Sequence, residues 1–251
     1  MTFSEKTHVD RVNHDRWQAA QAWERAHWLR NHKALARHGK NAVWRFLSML
    51  RVVEKYRGDD RNHWWREVFD NYSFLPSAVD NALEVGCGPY TNVRLISRVC
   101  TPRHLYLSDP LIQTYVRFNM TFLNEMYRKA SCCLDDHPLE ELPFADDYFE
   151  LAVMINVLDH VRDASMCMNS LIRVLKPGGF VIIGQDLSDL GDLERQPDGL
   201  RVGHPVTLDE KWFEAYLKNN FDRVFEKILP RDAGWAPEWH YGTLCFAGRK
   251  R

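Results

Sequence analysis

The sequence lacks three features that would each point to a distinct class of protein. It has no apolar run near the roughly 18–20 residues that span a bilayer, and its first ten residues contain no apolar signal-peptide core. Its six cysteines form neither a CxxC pair nor a zinc-ligand spacing. These absences predict a cytoplasmic protein without a membrane span, whose cysteines are reduced thiols rather than structural disulfides.

The net charge of −1 is unevenly distributed along the chain. Residues 1–66 hold 14 basic and 7 acidic side chains, whereas the remainder holds 19 basic and 27 acidic ones. This pattern fits either a solvated helical surface or a basic cap that faces an anionic substrate. The basic residues form no dense cluster, so a nucleic acid is not favoured as a partner.

Residues 9–66 have a helical pattern and predict a tryptophan-rich arm. Apolar residues at helical spacing predict one face around Trp17, Ala20 and Trp23, and a second face over residues 43–53. The aromatic side chains either pack the arm onto the body of the protein or line a substrate pocket. The arm holds six of the nine tryptophans: Trp17, Trp23, Trp28, Trp44, Trp64 and Trp65.

From about residue 80 the pattern alternates between strands and helices, which predicts a parallel sheet with helices on both faces. The loop Pro230–Tyr241 contains no helical pattern, so the last two strands should form a hairpin with an antiparallel final strand. A capping-box pattern that begins at Thr207 predicts a helix over Lys211–Asn219. The predicted strands are Asn81–Val85, His104–Ser108, Ala130–Leu134, Leu151–Ile155, Phe180–Gly184, Val224–Leu229 and Thr243–Gly248.

A glycine turn follows the first predicted strand, in the segment NALEVGCGPYTN. Gly86 and Gly88 allow a sharp turn and a close approach of a ligand to the main chain. The second strand ends about 20 residues later at Asp109, where a doubly wound fold binds ribose hydroxyls. Asp109 could otherwise be a helix cap or a turn residue. The pair of features predicts a nucleotide-like ligand.

Further along the chain come LEELPF, then ADDYFELAVMINVLDHV, then LIRVLKPGGFVII. With the glycine turn and Asp109, this order over residues 80–186 resembles the class I S-adenosylmethionine-dependent methyltransferases. The resemblance implies a doubly wound α/β fold with a seven-stranded Rossmann-like sheet, an antiparallel last strand and an N-terminal helical arm. It also implies S-adenosylmethionine as cofactor, with the arm over residues 1–75 and the methyltransferase domain over residues 76–251.

The resemblance also assigns roles to individual positions. Asp109 would bind the ribose and Pro110 would flank the adenine, while Pro177 would end a helix before a glycine turn. Asn156 would lie where cofactor and acceptor meet. The remaining implied cofactor contacts are Glu84, Gly86, Cys87 and Gly88 at the methionine part, and Leu139 and Glu140 at the adenine.

Three positions depart from related patterns. Tyr90 replaces the family's third glycine, so its side chain must point away from the cofactor or partly close the site. Pro138 stands where the family often has an aspartate, which leaves open whether Asp135, Asp136 or neither meets the adenine amino group. A dinucleotide cofactor would need a third glycine at Thr91, which argues against a dehydrogenase.

A hydroxyl acceptor usually needs a general base. The sequence offers His160 beside Asp159 after the fourth strand, then His204, and His240 before the last strand. Each histidine could equally be a packing or surface residue, and Asp159 could be a helix cap. No metal-ligand cluster is visible in the sequence.

The fourth strand lacks the Asp/Asn–Pro–Pro–aromatic signature of methyltransferases that act on DNA bases or amide nitrogens. A small-molecule or glycan acceptor, anionic if the basic arm faces it, is therefore the predicted partner. The arm and the DNYSFLP segment are similar to bacterial methyltransferases of polysaccharide and natural-product pathways. The alternative is a non-catalytic binding or scaffold subunit, and the oligomeric state, a homo-oligomer included, stays open.

Overall fold

The computed structural model describes residues 9–38, 60–119 and 121–251. These residues form a seven-stranded sheet between two layers of helices. The strands are β1 Ala78–Val85, β2 Thr101–Ser108, β3 Cys133–Asp135, β4 Phe149–Ile155, β5 Leu175–Leu187, β6 Phe221–Pro230 and β7 Gly242–Lys250. The helices are α1 His14–His38, α2 Asp60–Val68, α3 Val93–Ile96, α4 Ile112–Tyr115, α5 Phe122–Arg128, α6 Ala164–Val174, α7 Leu190–Arg195, α8 Asp198–Gly203 and α9 Glu210–Asn220.

The strand order is β3-β2-β1-β4-β5-β7-β6. Strands β1 to β5 are parallel, and β7 is antiparallel to both of its neighbours. The order reverses between β1 and β4, and such a switch point is where doubly wound sheets bind ligands, outside the carboxyl ends of their strands. Val85 at the end of β1 pairs with Ser108 of β2 and Met154 of β4, so three strand ends meet at this edge.

Two apolar cores cover the two faces of the sheet. Helices α6 and α9 pack on one face through residues such as Leu171 and Phe213, and α2 to α5 pack on the other through residues such as Trp65 and Ile96. The central strands are buried on both sides, which explains why β4 reads as a continuous apolar run instead of an alternating one.

All seven predicted strands are present, and the antiparallel last strand is confirmed. The strands extend beyond the predicted segments at most ends, since the chain continues to pair where its side chains are polar. Strand β3 is the exception, because it begins at Cys133 and not at Ala130. Ala130 has φ +49° and lies in the turn that follows α5, so it cannot continue an extended strand.

Two local predictions were wrong. The residue that caps α9 is Asp209, whose carboxylate accepts a hydrogen bond from Trp212 N at 2.9 Å. Thr207 instead accepts one from Val9 N at 3.0 Å. Helix α6 ends at Val174, three residues before Pro177, because β5 begins at Leu175.

The corrected cap of α9 gives a first testable prediction. We expect Asp209→Ala to lower the free energy of unfolding by about 1 kcal/mol, since it removes the acceptor for an otherwise unpaired N–H. Urea denaturation monitored by circular dichroism measures the change. Asp209→Asn keeps the cap and should lose little, and equal losses in the two variants would contradict the assignment.

The described helices of the arm, α1 and α2, pack against the rest of the protein. Trp65 on α2 is 1% exposed, and its ring lies so close to Gly184 of β5 that a Cβ there would be 2.8 Å away. Helix α1 packs on α8, and the ring of Trp23 lies directly against Gly203. Trp44 and the second predicted helical face, residues 43–53, lie outside the described residues. No described helix has an apolar stretch long enough to cross a bilayer.

Candidate active site

The glycine turn after β1 is held from behind by a buried carboxylate. Glu84 is 1% exposed and accepts hydrogen bonds from Asn92 N at 2.8 Å and Val93 N at 3.1 Å, and also from the Thr91 hydroxyl. Burial raises the pKa of Glu84, and these hydrogen bonds oppose the rise. Thr91 has φ +37°, which is unusual for a β-branched residue. Glu84 therefore fixes the turn at the start of α3, and its carboxylate is engaged there instead of facing the cavity.

The two glycines of the turn have different surroundings. Both lie in the left-handed region, with φ +60° at Gly86 and +55° at Gly88. A Cβ on Gly86 would lie 2.5 Å from a methyl carbon of Val157, whereas a Cβ on Gly88 would meet nothing within 4 Å. The turn thus packs tightly against the end of β4 at Gly86 and leaves open space in front of Gly88.

Asp109 lies at the end of β2, beside this open space. Its carboxylate accepts hydrogen bonds from Gly88 N at 3.0 Å and Leu111 N at 2.8 Å, so the turn interpretation of Asp109 also holds. Burial raises its pKa to about 6, although the two N–H donors oppose the rise. An acidic group with so high a pKa in a cleft is typical of functional sites.

The loop after β3 brings Leu139 and Glu140 to the same edge of the sheet. Glu140 accepts hydrogen bonds from Arg162 N and Asp163 N at 2.8 and 3.0 Å, which tie this loop to the start of α6. Asp135 accepts a hydrogen bond from Ser108 Oγ at 2.7 Å and lies 2.6 Å from His137 Nδ1. Glu140 and Asp135 are thus both engaged within the protein, and the acid that meets an adenine, if any does, stays a prediction.

Asn156 follows β4 with φ +57°, a conformation that asparagine tolerates better than most residues. Its N–H donates to Gly184 O at 2.7 Å, and its side-chain oxygen lies 3.4 Å from Asp186 N. These two contacts hold the end of β4 against β5 beside the cavity.

These elements enclose one cavity of about 380 Å³, within the range of roughly 300–1,000 Å³ that small-molecule sites occupy. Its floor is the glycine turn and the ends of β2 and β4. Its roof is α1 and the loop before β7, which contribute Trp17, Trp23, Trp28, Trp235 and Trp239. The predicted site residues that line it are Gly86, Cys87, Gly88, Asp109, Pro110, Leu139, Glu140, Asn156, His160 and His240.

The floor fits S-adenosylmethionine in shape and in charge. The space in front of Gly88 admits a ligand against the main chain, and the Asp109 carboxylate beside it could accept hydrogen bonds from ribose hydroxyls. Asn92 lines the cavity, and its buried side-chain oxygen has no hydrogen-bond partner in the structure. An unsatisfied acceptor is costly unless a ligand donates to it, and the cofactor carries an ammonium group that could do so.

Tyr90 lines the cavity, and its side chain packs toward the roof. The side chain is 6% exposed, and its ring packs 5.7 Å from that of Trp28 on α1. Its carbonyl accepts a hydrogen bond from Asn62 Nδ2 at 3.1 Å. Tyr90 therefore joins the turn to the roof, a role that a glycine at this position could not have.

His160 and Asp159 lie at the roof end of the cavity with His204. Asp159 is buried, and each of its two oxygens is 3.7 Å from the Nε2 atom of one histidine. Burial would raise the pKa of Asp159, but the charges of His160 and His204 outweigh it and lower the pKa to about 2. Burial lowers the pKa of His204 to about 4, with a contribution from His160. Burial also acts to lower the pKa of His160, but Asp159 and Glu24 outweigh it and raise the pKa.

His240 enters the cavity from the loop before β7. Its Nδ1 lies 2.8 Å from Ser188 Oγ, and its Nε2 lies 3.8 Å from a carboxylate oxygen of Asp186. Asp186 is also paired with Arg61 and accepts a hydrogen bond from Thr243 Oγ1 at 2.9 Å. The guanidinium of Arg61 is therefore already neutralised at the cavity wall.

The structure brings together most of the predicted site residues and adds others. Glu84 and Asp159 lie behind the cavity wall, and the other predicted residues line it. Three lining residues were not predicted as site residues: Glu24 of α1, Arg61 of α2 and Asn92 just before α3. His204 was predicted as a candidate base but not as a neighbour of Asp159, because 45 residues separate them in the chain.

Known proteins are similar to this chain in sequence. Residues 83–183 match the family described as a methyltransferase domain. A 44-residue stretch is 46% identical to the ubiquinone/menaquinone biosynthesis C-methyltransferase UbiE of Vibrio vulnificus (strain YJ016) and covers 18% of this chain and 17% of that protein. The chain thus matches less than a fifth of the length of these UbiE relatives.

Solved structures share the fold at low sequence identity. The N-methyltransferase NodS from Bradyrhizobium japonicum WM9, in complex with S-adenosyl-l-homocysteine, has a TM-score of 0.55 at 18% identity and covers 87% of this chain and 97% of that one. The [4+2]-cyclase SpnF has a TM-score of 0.56 at 18% identity and covers 75% and 81%. Residues 83–183 thus match a methyltransferase-domain family, and the chain shares the fold of these solved structures.

Proposed function

We propose that the protein transfers the methyl group of S-adenosylmethionine to a hydroxyl or amine of a small molecule or glycan. One observation carries the proposal. A single cavity runs from the glycine turn and Asp109 to an aromatic roof that contains His160 and His240. Cofactor and acceptor would therefore meet near Asn156, between the floor and the roof.

Bound S-adenosylmethionine supplies an activated methyl group on a sulfonium. In the transfer, a lone pair of the acceptor forms a bond to the methyl carbon, the carbon–sulfur bond breaks, and sulfur keeps its electron pair. The protein has to align the acceptor with the methyl group and exclude water. The floor would position the cofactor, and the roof would cover the acceptor.

A hydroxyl acceptor must also lose a proton, and two arrangements in the cavity could receive it. His240 is held by Ser188 and faces Asp186. His160 has its Nδ1 engaged by Gly203 O at 2.9 Å, and its other nitrogen faces Asp159. Each of the two histidines has Nδ1 held by a protein group and Nε2 facing a carboxylate, so either His240 or His160 could act as the general base.

The described lining favours a neutral or cationic acceptor over an anionic one. Glu24, Asp109 and Glu140 line the cavity, whereas Arg61 is paired with Asp186. The tryptophans offer flat apolar faces on which a sugar ring or an aromatic ring could stack. An amino sugar or a hydroxylated ring compound combines these properties.

Incubation with methyl-labelled S-adenosylmethionine and a panel of acceptors tests the proposal. The panel should contain matched neutral, amino and carboxylated sugars together with phenols. We expect label in a neutral or amino acceptor, with S-adenosyl-l-homocysteine formed in equal amount. Cofactor binding without transfer to any acceptor class would contradict the proposal and favour a non-catalytic binding subunit.

A further inference from the structure

Three potential metal ligands converge at the roof end of the cavity. One ligand atom from each of Asp159, His160 and His204 can be chosen so that all three lie within 4.8 Å of one another. The separations of 3.7 Å between each Nε2 and its nearest carboxylate oxygen exceed hydrogen-bond length. Two ligands of one tetrahedral ion, each about 2.1 Å from the metal, lie about 3.4 Å apart. The cluster is therefore slightly wider than an occupied site.

The two imidazoles are oriented as metal ligands usually are. His160 Nδ1 lies 2.9 Å from Gly203 O, and His204 Nδ1 lies 2.9 Å from Leu200 O. A carbonyl only accepts hydrogen bonds, so each Nδ1 carries the proton, and in a neutral ring Nε2 then has the free lone pair. Metal-bound histidines almost always donate their second N–H to a carbonyl or carboxylate in this way.

The carboxylate between them has no hydrogen-bond partner to account for its burial. Asp159 is 7% exposed, and neither of its oxygens accepts a hydrogen bond of standard geometry, although the Gln185 side chain lies near enough to help lower its pKa. A buried charge without hydrogen bonds is expensive, and buried carboxylates are normally paired or bound to a metal. The imidazoles alone do not satisfy Asp159, because they are too far away to donate to it.

We propose that Asp159, His160 and His204 bind a divalent transition-metal ion such as Zn²⁺. Two imidazoles and one carboxylate are a donor set that suits zinc and iron, whereas Mg²⁺ prefers oxygen ligands. The groups that face the site from neighbouring elements are Glu24 of α1, 3.7 Å from His160 Nδ1, and the ring of Trp23, 5.9 Å from that of His204.

The role of the ion rests on the proposed function, although metal binding itself does not. Three protein ligands leave one position of a tetrahedral ion open, and His160 and His204 line the cavity in which the acceptor would bind. An acceptor hydroxyl at that position loses its proton more readily. The O–H bond would break, the proton would pass to His240, since His160 would be bound to the ion, and oxygen would keep the electron pair that attacks the methyl carbon.

Calorimetric titration of the chelator-treated full-length protein with Zn²⁺ tests the site without cofactor or acceptor. We expect one ion per chain and no comparable binding of Mg²⁺. Asp159→Asn and His204→Gln should each weaken Zn²⁺ binding at least 10-fold. The matched control is His137→Gln, which alters a different histidine–aspartate pair, 2.6 Å apart, and should keep wild-type Zn²⁺ affinity.

Two results would overturn the metal site. One is the absence of Zn²⁺ binding by the wild-type protein. The other is unchanged affinity in both cluster variants, which would place the ion elsewhere, for example at the exposed Cys133. Thermal unfolding of each metal-free variant shows whether it is folded, and Co²⁺ absorption identifies the ligand type in those that are. Metal binding without methyl transfer would refute the proposed function and leave the site intact.

Discussion

Alanine at Gly88 is expected to weaken S-adenosylmethionine binding roughly 10–100-fold while the protein stays folded. Gly88 lines the cavity, and a Cβ there meets no protein atom within 4 Å. The added methyl group would therefore occupy space that the cofactor needs, with an overpacking cost of about 1–3 kcal/mol on binding. The left-handed backbone at φ +55° adds a folding cost of about 1–2 kcal/mol.

Gly86→Ala is the matched control, and we expect it to lower stability strongly and to change cofactor affinity little. Its backbone strain is similar, with φ +60°, but its Cβ would lie 2.5 Å from Val157. Strain and overpacking together should lower the free energy of unfolding by about 2–5 kcal/mol. Urea denaturation measures stability, and calorimetric titration measures cofactor affinity.

A double substitution separates the two contributions at Gly86. Val157→Ala removes the methyl carbons that the new Cβ would meet, so Gly86→Ala should cost less in that background than in the wild type. An unchanged cost would mean that Val157 is not the obstacle. Wild-type cofactor affinity in Gly88→Ala would refute the placement of the cofactor in front of this turn.

The second large effect is expected at Asp109, where stability and binding should move in opposite directions. Its pKa of about 6, against an ordinary value of 3.8, means that the folded protein disfavours the charged form by about 3 kcal/mol. Asp109→Asn removes this cost but also loses one of the two backbone hydrogen bonds, because the amide nitrogen cannot accept. An unpaired buried N–H costs about 1–3 kcal/mol, so the free energy of unfolding at pH 8 should rise by about 1 kcal/mol.

The same substitution should weaken S-adenosylmethionine binding at least 10-fold, because hydrogen bonds from the ribose to a charged acceptor contribute about 1.5–3 kcal/mol. Asp163→Asn is the control. Asp163 is also a buried aspartate that caps a helix, through Met166 N at 2.9 Å, but it lies outside the cavity lining. Unchanged affinity in Asp109→Asn would contradict the ribose assignment.

The sign of the pH dependence follows from the raised pKa. Because folding raises the pKa of Asp109, the stability of the wild type relative to Asp109→Asn is greatest below pH 3.8 and declines as the pH rises through about 6. Cofactor affinity should change in the other direction and fall below about pH 6, where the carboxylate becomes protonated. An unfolding series from about pH 3.5 to pH 7 measures the stability trend, and a titration series from about pH 5 to pH 8 measures the affinity trend.

The cofactor floor was predictable because its parts occur in a fixed order along the chain. Strand, glycine turn and the acid at the end of the second strand are local patterns, and parallel strands bring their carboxyl ends to one edge. Glu84 shows the limit of this reasoning, since its position in the pattern did not reveal that its carboxylate binds Asn92 N and Val93 N.

The roof could not be predicted in the same way. Helix α1, the segment around His204 and the loop before β7 come together only through tertiary packing, and Trp23 over Gly203 has no local signature. Trp65 is part of the core and also lines the cavity, as Trp23 and Trp28 do. Contact of these rings with an acceptor stays a prediction.

The floor and the roof of the cavity are built from different segments of the chain, and this affects how the acceptor specificity of such a protein can change. The floor stands on strand ends whose packing supports the whole sheet, so substitutions there affect folding and cofactor together. The roof stands on α1 and a surface loop, which can vary in length and composition without disturbing strand pairing. Exchanging residues 9–38 and 230–241 between related proteins would thus be a route to new acceptor specificities on an inherited cofactor site.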